Sequence, residues 1–456
     1  MAGLVDLLSI AKSALQTHQR ALDVTGHNIA NAATPGYTRQ RLDQTEAIPL
    51  RTPQGYVGRG VGDMGVVSSR DTFLDTAYRA EQGNFTQADT LHTLVSQVQT
   101  MFNEPTDQAL GSALDTLWNG FSDLANDPAG GAQRVAVQND AAQVVQQLHD
   151  LDKGLTSVSN TAATQFTDGV ARINQIATQV ADLNRQIIAS GGGADHAGDL
   201  ADKRGVLLDE LGGLVDTRVY QGNSGSVSVV VGDAMIVENG VAQQLQTATR
   251  PGGGLDAMVV GDTRALNFTS GKLAGLDDVM TVAVPKVRSA LDTLASSLVT
   301  TVNAIHQTGM TNASVTGTNF FDPAGTTAAS IALAPAIAAS PANIVTGTTA
   351  AAGDNTIALQ LAGLRTAGVP GLGGSSLGDY YTSIVTDLGT TVANADQQST
   401  SAQVISSGIS AQRSSETGVS TNEEMISLIT QQQSFAAAAK IVTVADSLLQ
   451  DLLNMI

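Results

Sequence analysis

The sequence has no cysteine, few aromatic residues and a shortage of positive charge. Without cysteine, the 456 residues can form no disulfide, no thiolate nucleophile and no cysteine-ligated metal site. Lys and Arg number 23 against 42 Asp and Glu, which gives a net charge of −19, and they form no basic cluster. Because nucleic acids and anionic membrane surfaces bind cationic faces, we expect neither as a partner.

Long apolar runs are also missing. No stretch reaches the ~18 apolar residues that suggest a membrane-spanning helix, so no transmembrane segment is expected. The segment MAGLVDLLSIAK at the start lacks a basic leader, and Asp6 interrupts its apolar run, so it does not resemble a cleaved secretory signal. Aromatic residues make up 4% of the chain, while Ala and Gln are abundant. This composition favours long helices packed on small side chains over deep ligand pockets.

Motifs that would carry chemistry are weak. GRGVGD (58–63) lies in a turn-rich stretch without the strand-to-helix passage that a phosphate cradle needs. His196, Asp199 and Asp202 have a spacing that suits a metal, but we expect them to cap a helix that begins at 199. None of the six histidines pairs by motif with a nucleophile. We therefore expect no enzyme, no catalytic residue, no cofactor and no metal site.

Both ends of the chain carry amphipathic helical patterns. Over residues 3–33 an apolar stripe recurs at alternating steps of four and three, which is typical of a helix with a supercoiled partner. A second such helix is predicted over 421–456, starting at Asn422. We expect the two to pair as a rod that no third element covers. Such a rod leaves apolar surface for other subunits, so we expect both termini to be mobile in a free subunit.

The fold predicted between these ends is mainly α with inserted β segments. Pro285 should kink the helix that contains it or mark its start. Residues 34–70 carry turn signals and predict a loop with a hairpin or two. A small antiparallel β module is predicted over 216–270, and an irregular insertion with short strands over 309–376. Helices are predicted at 72–102, 107–127, 131–190, 199–214, 271–306 and 377–414.

Several segments resemble one protein family. ALQTHQRALDVTGHNIANAATPGYTRQR (14–41) resembles the N-terminal signature of the bacterial flagellar axial proteins, which include rod, hook and hook-associated proteins. Within that family, TPGYTRQ favours the hook-associated proteins of the hook–filament junction. The other segments similar to them are SSRDTFLDTAYRAEQ (68–82), LADKRGVLLDELGGLVD (200–216), GTNFF (317–321) and TNEEMISLITQQQSFAAAAKIVTVADSLLQDLL (421–453).

The resemblance implies an architecture in layers. Residues 1–35 and 421–456 would form an axial coiled coil, D0. Residues 36–215, 271–308 and 377–420 would form a long-helix bundle with its linker, D1. Residues 216–270 would form a small outer antiparallel β module, D2, and 309–376 would be an irregular insertion rich in Gly, Ala and Thr.

The resemblance also implies a structural role. Members assemble as a homo-oligomeric ring of roughly one helical turn at the distal end of the hook, and adapt the hook to the filament. The partners implied are hook protein below, a second junction protein and the filament above, and an export chaperone before secretion. The implied location is the extracellular flagellum, reached through the flagellar type III apparatus without a cleaved signal.

Three sets of residues are implied as sites. Pro35 and Gly36 would end the rod, and Tyr37, Arg39 and Gln40 would hold the link to the next layer. The full axial motif and link is Asn28, Ile29, Asn31, Pro35, Gly36, Tyr37, Arg39 and Gln40. The N-terminal subunit interface is Leu4, Leu8, Ala11, Leu15, Leu22 and Ile29. The C-terminal subunit interface, also the chaperone-binding face, is Leu428, Ile429, Phe435, Ile441, Val444, Leu448 and Leu452.

Two alternatives remain open. The chain could be another flagellar axial protein, of the hook or the distal rod. It could also be a secreted enzyme carried on a helical stalk, which would need a catalytic constellation within 217–376.

Overall fold

The structure, a computed structural model, describes residues 2–52, 55–104, 106, 109–190, 194–311 and 313–454. The protein is mainly α-helical with small antiparallel sheets, which confirms the fold class predicted from the sequence. The longest helix, α4, has 59 residues and is therefore ~90 Å long. The α-helices are α1 Ala2–Asn31, α2 Thr72–Phe102, α3 Leu110–Asn126, α4 Gly131–Ala189, α5 Ala194–Leu214, α6 Lys272–Asp278, α7 Val284–His306, α8 Pro335–Ala339, α9 Thr356–Gly363, α10 Leu377–Thr417 and α11 Thr421–Asn454.

The strands form four small sheets with antiparallel pairing. β1 pairs with β4 and β2 with β3, in the segment that connects α1 to α2. β5, β6, β7 and β8 form a four-stranded sheet in that order, and β9 pairs with β10 beside it. The strands are β1 Gln40–Glu46, β2 Leu50–Thr52, β3 Gly55–Val57, β4 Val61–Ser68, β5 Thr217–Gln221, β6 Val227–Val231, β7 Ala234–Glu238, β8 Val241–Ala242, β9 Leu245–Thr249 and β10 Leu255–Val259.

Local signals explain where several helices begin and end. α2 starts after Asp71, whose carboxylate accepts hydrogen bonds from the backbone N–H groups of Phe73 and Leu74, at 2.8 and 3.2 Å. It ends at Asn103, which adopts the left-handed conformation with φ of 52°. Pro285 lies in the first turn of α7, directly after a π-helical turn at Val279–Ala283. The backbone keeps right-handed helical angles at Asp278, Ala283 and Val284, so Pro285 lies at an interruption within a continuous helix. Proline is tolerated there because the π-helical turn already breaks the regular hydrogen bonding that its missing N–H would otherwise serve.

One continuous apolar core joins helices α2 to α7, α9 and α10, the β module and the 309–376 segment. Trp118 is buried in this core and packs against Phe121. Among the described residues, no side chain of α1 or α11 belongs to this core. The terminal helices are therefore attached to the body by other interactions.

The segment 309–376 differs from the expectation of short strands. Its described residues form two short helices, α8 and α9, two single turns of 3₁₀ helix and isolated β-bridges. Side chains of α7 anchor it. Asn303 accepts hydrogen bonds from the N–H groups of Phe320 and Phe321, at 2.8 and 2.9 Å, and donates to the carbonyl of Phe321. These side-chain bonds satisfy backbone N–H and C=O groups that would otherwise require a neighbouring β-strand. The segment can therefore be buried without forming a regular sheet.

His306 is the second anchor of this segment. Its ring is fully buried, with Nδ1 lying 2.5 Å from the carbonyl of Thr318, while Nε2 accepts the N–H of Val345 at 3.2 Å. The neutral ring satisfies both partners, because Nδ1 can donate while Nε2 accepts. Burial lowers the pKa of His306 from 6.5 to about 4. Protonation would turn Nε2 into a hydrogen-bond donor that faces the N–H group of Val345, which is also a donor.

We expect the protein to lose stability as the pH falls from 6.5 to 4. The pKa of His306 is lower in the folded state than in the unfolded state, so this contribution is complete above 6.5 and is lost between 6.5 and 4, where the unfolded chain binds a proton that the folded protein does not. The loss should be about 3 kcal/mol in the free energy of unfolding. Denaturant unfolding across this pH range measures it. The His306→Gln variant should show a shallower pH dependence, whereas the control His92→Gln should not. Equal slopes in all three proteins would contradict the assignment.

Candidate functional site: the junction of the terminal helices and the body

The terminal helices α1 and α11 pack against each other in antiparallel orientation. His18 Nδ1 lies 2.7 Å from Oε1 of Gln431, while Asn28, further along α1, contacts Glu424, which lies earlier in α11. Among the described side chains of this pair, the buried apolar residues are all alanines: Ala11, Ala21, Ala438 and Ala445. Small side chains let the two helices approach closely, but they remove little apolar surface from water.

The larger apolar side chains flank this contact. Leu8, Leu15, Leu22 and Ile29 are half-buried on α1, beside a seam that also contains Thr17 and Thr25. Leu428 and Phe435 are half-buried on the face of α11 that carries Glu424 and Gln431. The side chains of Leu4 and Leu452, two of the predicted interface residues, lie outside the described residues.

A second apolar stripe on α11 faces away from α1, and we call it the outer stripe. Ile429 is 49% exposed and Leu448 is 46% exposed. The outer stripe therefore contains four of the residues predicted for the C-terminal interface. Its members are Ile426, Ile429, Ile441, Val444 and Leu448.

The turn after α1 is fixed by Gly36. Its φ is +76°, which β-carbon-bearing residues rarely adopt, and an added Cβ would lie 2.3 Å from Cγ2 of Val206 on α5. Pro35 is exposed immediately before it. Glycine here thus lets the chain reverse while its backbone rests against the body.

Asn28 joins the two terminal helices to the link. It is 1% exposed and all of its hydrogen-bonding capacity is used. Nδ2 donates to the carbonyl of Gln40 at 2.7 Å and to Oε2 of Glu424 at 3.0 Å. Oδ1 accepts the hydroxyl of Tyr37 at 2.8 Å and the N–H of Gln40 at 3.0 Å. One side chain therefore fixes α1, α11 and β1 relative to one another.

Arg39 closes the same junction from the other side. Nε lies 2.7 Å from Oε1 of Glu424, and Nη1 lies 3.2 Å from Oε2 of Glu423. Its backbone N–H donates to the carbonyl of Thr417, the last residue of α10. The buried carboxylate of Glu424 thus has a charged partner as well as Asn28, and the α10–α11 connection is tied to the link.

Tyr37 and its neighbours extend the network to α5. The His27 ring contacts the edge of the Tyr37 ring, with Nδ1 3.1 Å from the hydroxyl, and lies 3.6 Å from Asp199. Burial, followed by the carboxylates of Asp199, Asp202 and Glu424, raises the pKa of Tyr37 above its usual range. The hydroxyl therefore keeps its proton and remains a donor to Asn28.

Asp199 and Asp202 have a role that the sequence did not predict. The expected helix start at 199 is wrong, because α5 begins at Ala194 and both aspartates lie inside it. Asp202 accepts the backbone N–H of Thr38 at 2.9 Å and its hydroxyl at 2.7 Å, while Asp199 accepts from Gln40 Nε2 at 3.0 Å. Their spacing of one helical turn serves to hold an extended strand against α5.

A third element does lie on the rod, which corrects the prediction that nothing covers it. The β1–β4 ribbon runs back along α1 from the junction. At its far end Gly60 approaches α1 so closely that an added Cβ would lie 3.3 Å from Cα of Ile10 and 2.6 Å from Oγ of Ser13. The sequence predicted a hairpin in this segment, but not its position, because β1 is mostly polar and shows no apolar face.

A buried ion-pair cluster beside the link was also missed from the sequence. Asp75 on α2 lies 2.9 Å from Nε of Arg70 and 2.9 Å from Nε of Arg413 on α10. Asp209 on α5 lies 2.7 Å from both Arg79 and Arg413. The Arg413 guanidinium also lies over the ring of Tyr78, 5.1 Å from its centroid. The cluster binds α2, α5 and α10 together where the rod meets the body.

Among the described residues, no group of three or more His, Asp or Glu side chains is placed to hold a metal ion. No described helix is long and apolar enough to cross a membrane. The network around Asn28, which we call the junction network, is the site with the most specific geometry and contains most of the predicted link residues.

Replacing Asn28 should loosen the junction network. In Asn28→Ala, the buried Glu424 and Tyr37 groups and the Gln40 backbone lose their partner, which should cost about 3 kcal/mol in local stability. Hydrogen exchange measured by mass spectrometry should show faster exchange at residues 28–40 and 421–431. Asn31→Ala is the matched control, because Asn31 donates only to the carbonyl of His27 at an exposed position. Equal protection in the two variants would refute the role assigned to Asn28.

Three protein-family models match the chain. The model of the flagellar hook-associated protein FlgK helical domain matches residues 95–321. The ends match two models of flagellar basal body rod proteins, the FlgEFG C-terminal model at 410–455 and the rod protein model at 8–38. The matches thus cover both terminal helices and most of the body between them.

Characterised relatives carry the same name. The chain is 29% identical to flagellar hook-associated protein 1 of Bacillus subtilis, over 98% of this chain and 97% of that protein. It is 26% identical to flagellar hook-associated protein 1 of Salmonella typhimurium, over 69% of this chain and 59% of that protein. The chain thus corresponds to the whole of one relative and to little more than half of the other.

A solved structure has the same fold. The flagellar hook junction protein FlgK from Burkholderia pseudomallei superposes with a TM-score of 0.67. The match covers 76% of this chain and 100% of that one, at 15% sequence identity. The family model, the full-length relative and the shared fold all agree with the resemblance found in the sequence. The chain belongs to the FlgK family of flagellar hook-associated proteins, which are structural components of the bacterial flagellum.

Proposed function

We propose that this chain is a junction subunit that assembles as a ring of roughly one helical turn at the distal end of the hook. Hook protein lies below the ring, and a second junction protein and the filament lie above it. The α1–α11 pair packs in the axial layer, and the ring adapts the hook to the filament. The observation that carries this proposal is the outer stripe, a row of large apolar side chains that the chain itself leaves exposed.

The outer stripe supports assembly through its energetics. Its five side chains keep about half of their surface in water, so covering each of them in a neighbour contributes about 1 kcal/mol. A rod in which no large apolar side chain of the described residues is fully buried gains less from its own contact than a core helix does. Subunit contacts around an axis would cover the stripe on every copy and repeat the gain at each interface.

The junction network supports separate roles for the axial coiled coil and the helical bundle of the subunit. We place the axial coiled coil at 1–35 and 421–456, and the helical bundle with its linker at 36–215, 271–308 and 377–420. The β module at 216–270 and the insertion at 309–376 lie outside them. Asn28, Arg39, Thr38 and Asp202 then fix the angle between the axial layer and the bundle. A subunit that must fit two different neighbours needs this angle to be defined by directional bonds.

The apolar face of α11 must also be covered before the chain is exported. We propose that the chain leaves the cell through the flagellar type III apparatus and becomes extracellular in the flagellum. Before secretion an export chaperone covers the apolar face of α11, including Leu428, Ile429, Phe435, Ile441, Val444 and Leu448. The same side chains then contact other subunits after assembly, so the two partners exclude each other.

Hook and distal-rod roles are the nearest alternatives. The matches at the two ends are shared with rod proteins and do not separate these roles. The match at 95–321 is to the helical domain of a hook-associated protein, which favours the junction. A catalytic role would require a constellation in the β module or the insertion, and the family is structural. We therefore propose a geometric function and no enzymatic one.

Charges on the outer stripe should block assembly without unfolding the subunit. Ile429→Glu with Leu448→Glu places two carboxylates where a neighbour must pack. In a motile host that depends on this protein, we expect electron microscopy to show hooks without filaments, and flagellin to accumulate in the medium. Gln432→Glu with Gln450→Glu adds the same charge on the exposed flank of α11 and should support filaments. Normal filaments with the first variant would rule out the proposed interface.

The terminal helices should also be the least protected helices of the free subunit. Because none of the large apolar side chains described in α1 and α11 is fully buried, we expect amides of these helices near Leu15 and Leu448 to exchange at least ~100-fold faster than those of α4 near Leu148. Assembly should slow their exchange, because neighbours then cover them. Strong protection of Leu15 or Leu448 in a verified monomer would contradict the expectation that the termini order on assembly.

A further inference from the structure

A cavity of about 590 Å³ opens beside the buried ion pairs, between the start of α2, α5 and the edge of the β module. Its polar wall is rich in arginine: Arg70, Arg79 and Arg204 line it, against the single carboxylate of Asp75. Positive charge is scarce in a chain of net charge −19. Three guanidinium groups around one cavity are therefore an unusual concentration of it.

Arg204 is the member that lacks a countercharge. Its residue is 7% exposed, and its Nη1 donates to Oδ1 of Asn184 and to the carbonyl of Gly225, both at 2.8 Å. Among the described residues no carboxylate forms an ion pair with it, and the charged groups that act on it are the guanidinium groups of Arg70 and Arg79. Burial, followed by the nearby Arg70 and Arg79, lowers the pKa of Arg204 to about 10, so it stays charged at neutral pH. A buried cation is costly when nothing compensates its charge.

The neighbouring carboxylates are already used. Asp75 faces Arg70, Arg79 and Arg413, and Asp209 faces Arg79 and Arg413. Asp202 on α5 also lies close enough to Arg70 for the two charges to attract. Three carboxylates thus serve three guanidinium groups, and none of them forms an ion pair with Arg204. Nη2 of Arg70 is buried without a hydrogen-bond partner in the described part of the chain. The residues that line the cavity therefore carry an excess of positive charge, three arginines against one carboxylate.

The other wall of the cavity is apolar. Phe73 lines it and is 76% exposed, although it directly follows the start of α2. Ile187, Leu208 and Val219 complete the apolar wall. An inorganic anion would use the arginines but leave this wall in water. A carboxylate next to an apolar side chain would use both, and guanidinium groups bind carboxylates through two parallel hydrogen bonds.

We propose that this cavity binds an acidic peptide segment of a protein partner. A Glu or Asp carboxylate of the segment bonds to Arg204, and an adjacent apolar side chain packs on Phe73. The site is separate from the outer stripe of α11, and it does not depend on how the terminal helices assemble. The cavity therefore gives the body of the subunit its own surface for binding a partner. That surface is positively charged, whereas the chain as a whole is acidic.

Binding of a defined peptide to the full-length chain tests this proposal. The probe is fluorescein-labelled Leu-Glu-Leu-Glu-Leu, and the control is Leu-Gln-Leu-Gln-Leu with the same label, both followed by fluorescence anisotropy. We expect the acidic peptide to bind roughly tenfold or more tightly than the neutral one, and to weaken as salt is raised. Equal binding of the two peptides would overturn the proposal. Displacement by millimolar inorganic phosphate would do so too, since it would identify a simple anion site.

Single-residue variants test whether the acidic peptide binds in this cavity. Arg204→Lys keeps the charge but loses the paired geometry, and Phe73→Ser removes the apolar contact at an exposed position where folding does not depend on it. Each should weaken binding of the acidic peptide by roughly tenfold. Arg264→Gln, an exposed arginine of the β module that pairs with Asp233, is the matched control and should bind as the wild type does. Unchanged binding in Phe73→Ser would refute the site even if the Arg204 variant were misfolded.

Discussion

Alanines are the buried apolar residues of the described seam between α1 and α11, beside polar contacts at His18 and Asn28, and this constraint governs the rest of the molecule. Close approach of two helices needs small side chains at the seam, and such side chains bury too little apolar surface to stabilise a pair on their own. The leucines and isoleucines beside the seam stay half-buried or exposed. The axial part of the subunit therefore lacks a core, whereas the body has one that continues through all its layers.

Polar contacts connect these two parts. Asn28, Arg39 and Glu424 meet where α1, α11 and the link converge, and Asp202 holds the link against α5. Buried hydrogen bonds and ion pairs add little net stability compared with apolar burial, but they define direction, because a misplaced partner leaves a buried group unsatisfied. The polar contacts of the junction therefore define the angle between the rod and the body. The apolar surfaces determine how strongly the rod and the body bind their neighbours.

The ion pairs at Asp75 and Asp209 extend the same principle into the body. They bind α2, α5 and α10 next to the link, and the arginines around them exceed the carboxylates. The chain as a whole has the opposite imbalance. A locally cationic cavity in an acidic subunit gives the body a selective contact that the apolar rod cannot provide.

The sequence by itself determined the helices, the sheet module and the family. Stripe periodicity, Asp71 at a helix start and Pro285 in a first turn are local features, so α2 and α7 could be placed from neighbouring residues alone. The turn at Pro35 and Gly36 was visible for the same reason. Only the tertiary structure decided what Asp199 and Asp202 bind, where the β1–β4 ribbon lies, and which stripe of α11 faces α1. Those outcomes depend on residues about 50 to 160 positions apart, or on which of two adjacent apolar stripes finds a partner, and no local pattern encodes either choice.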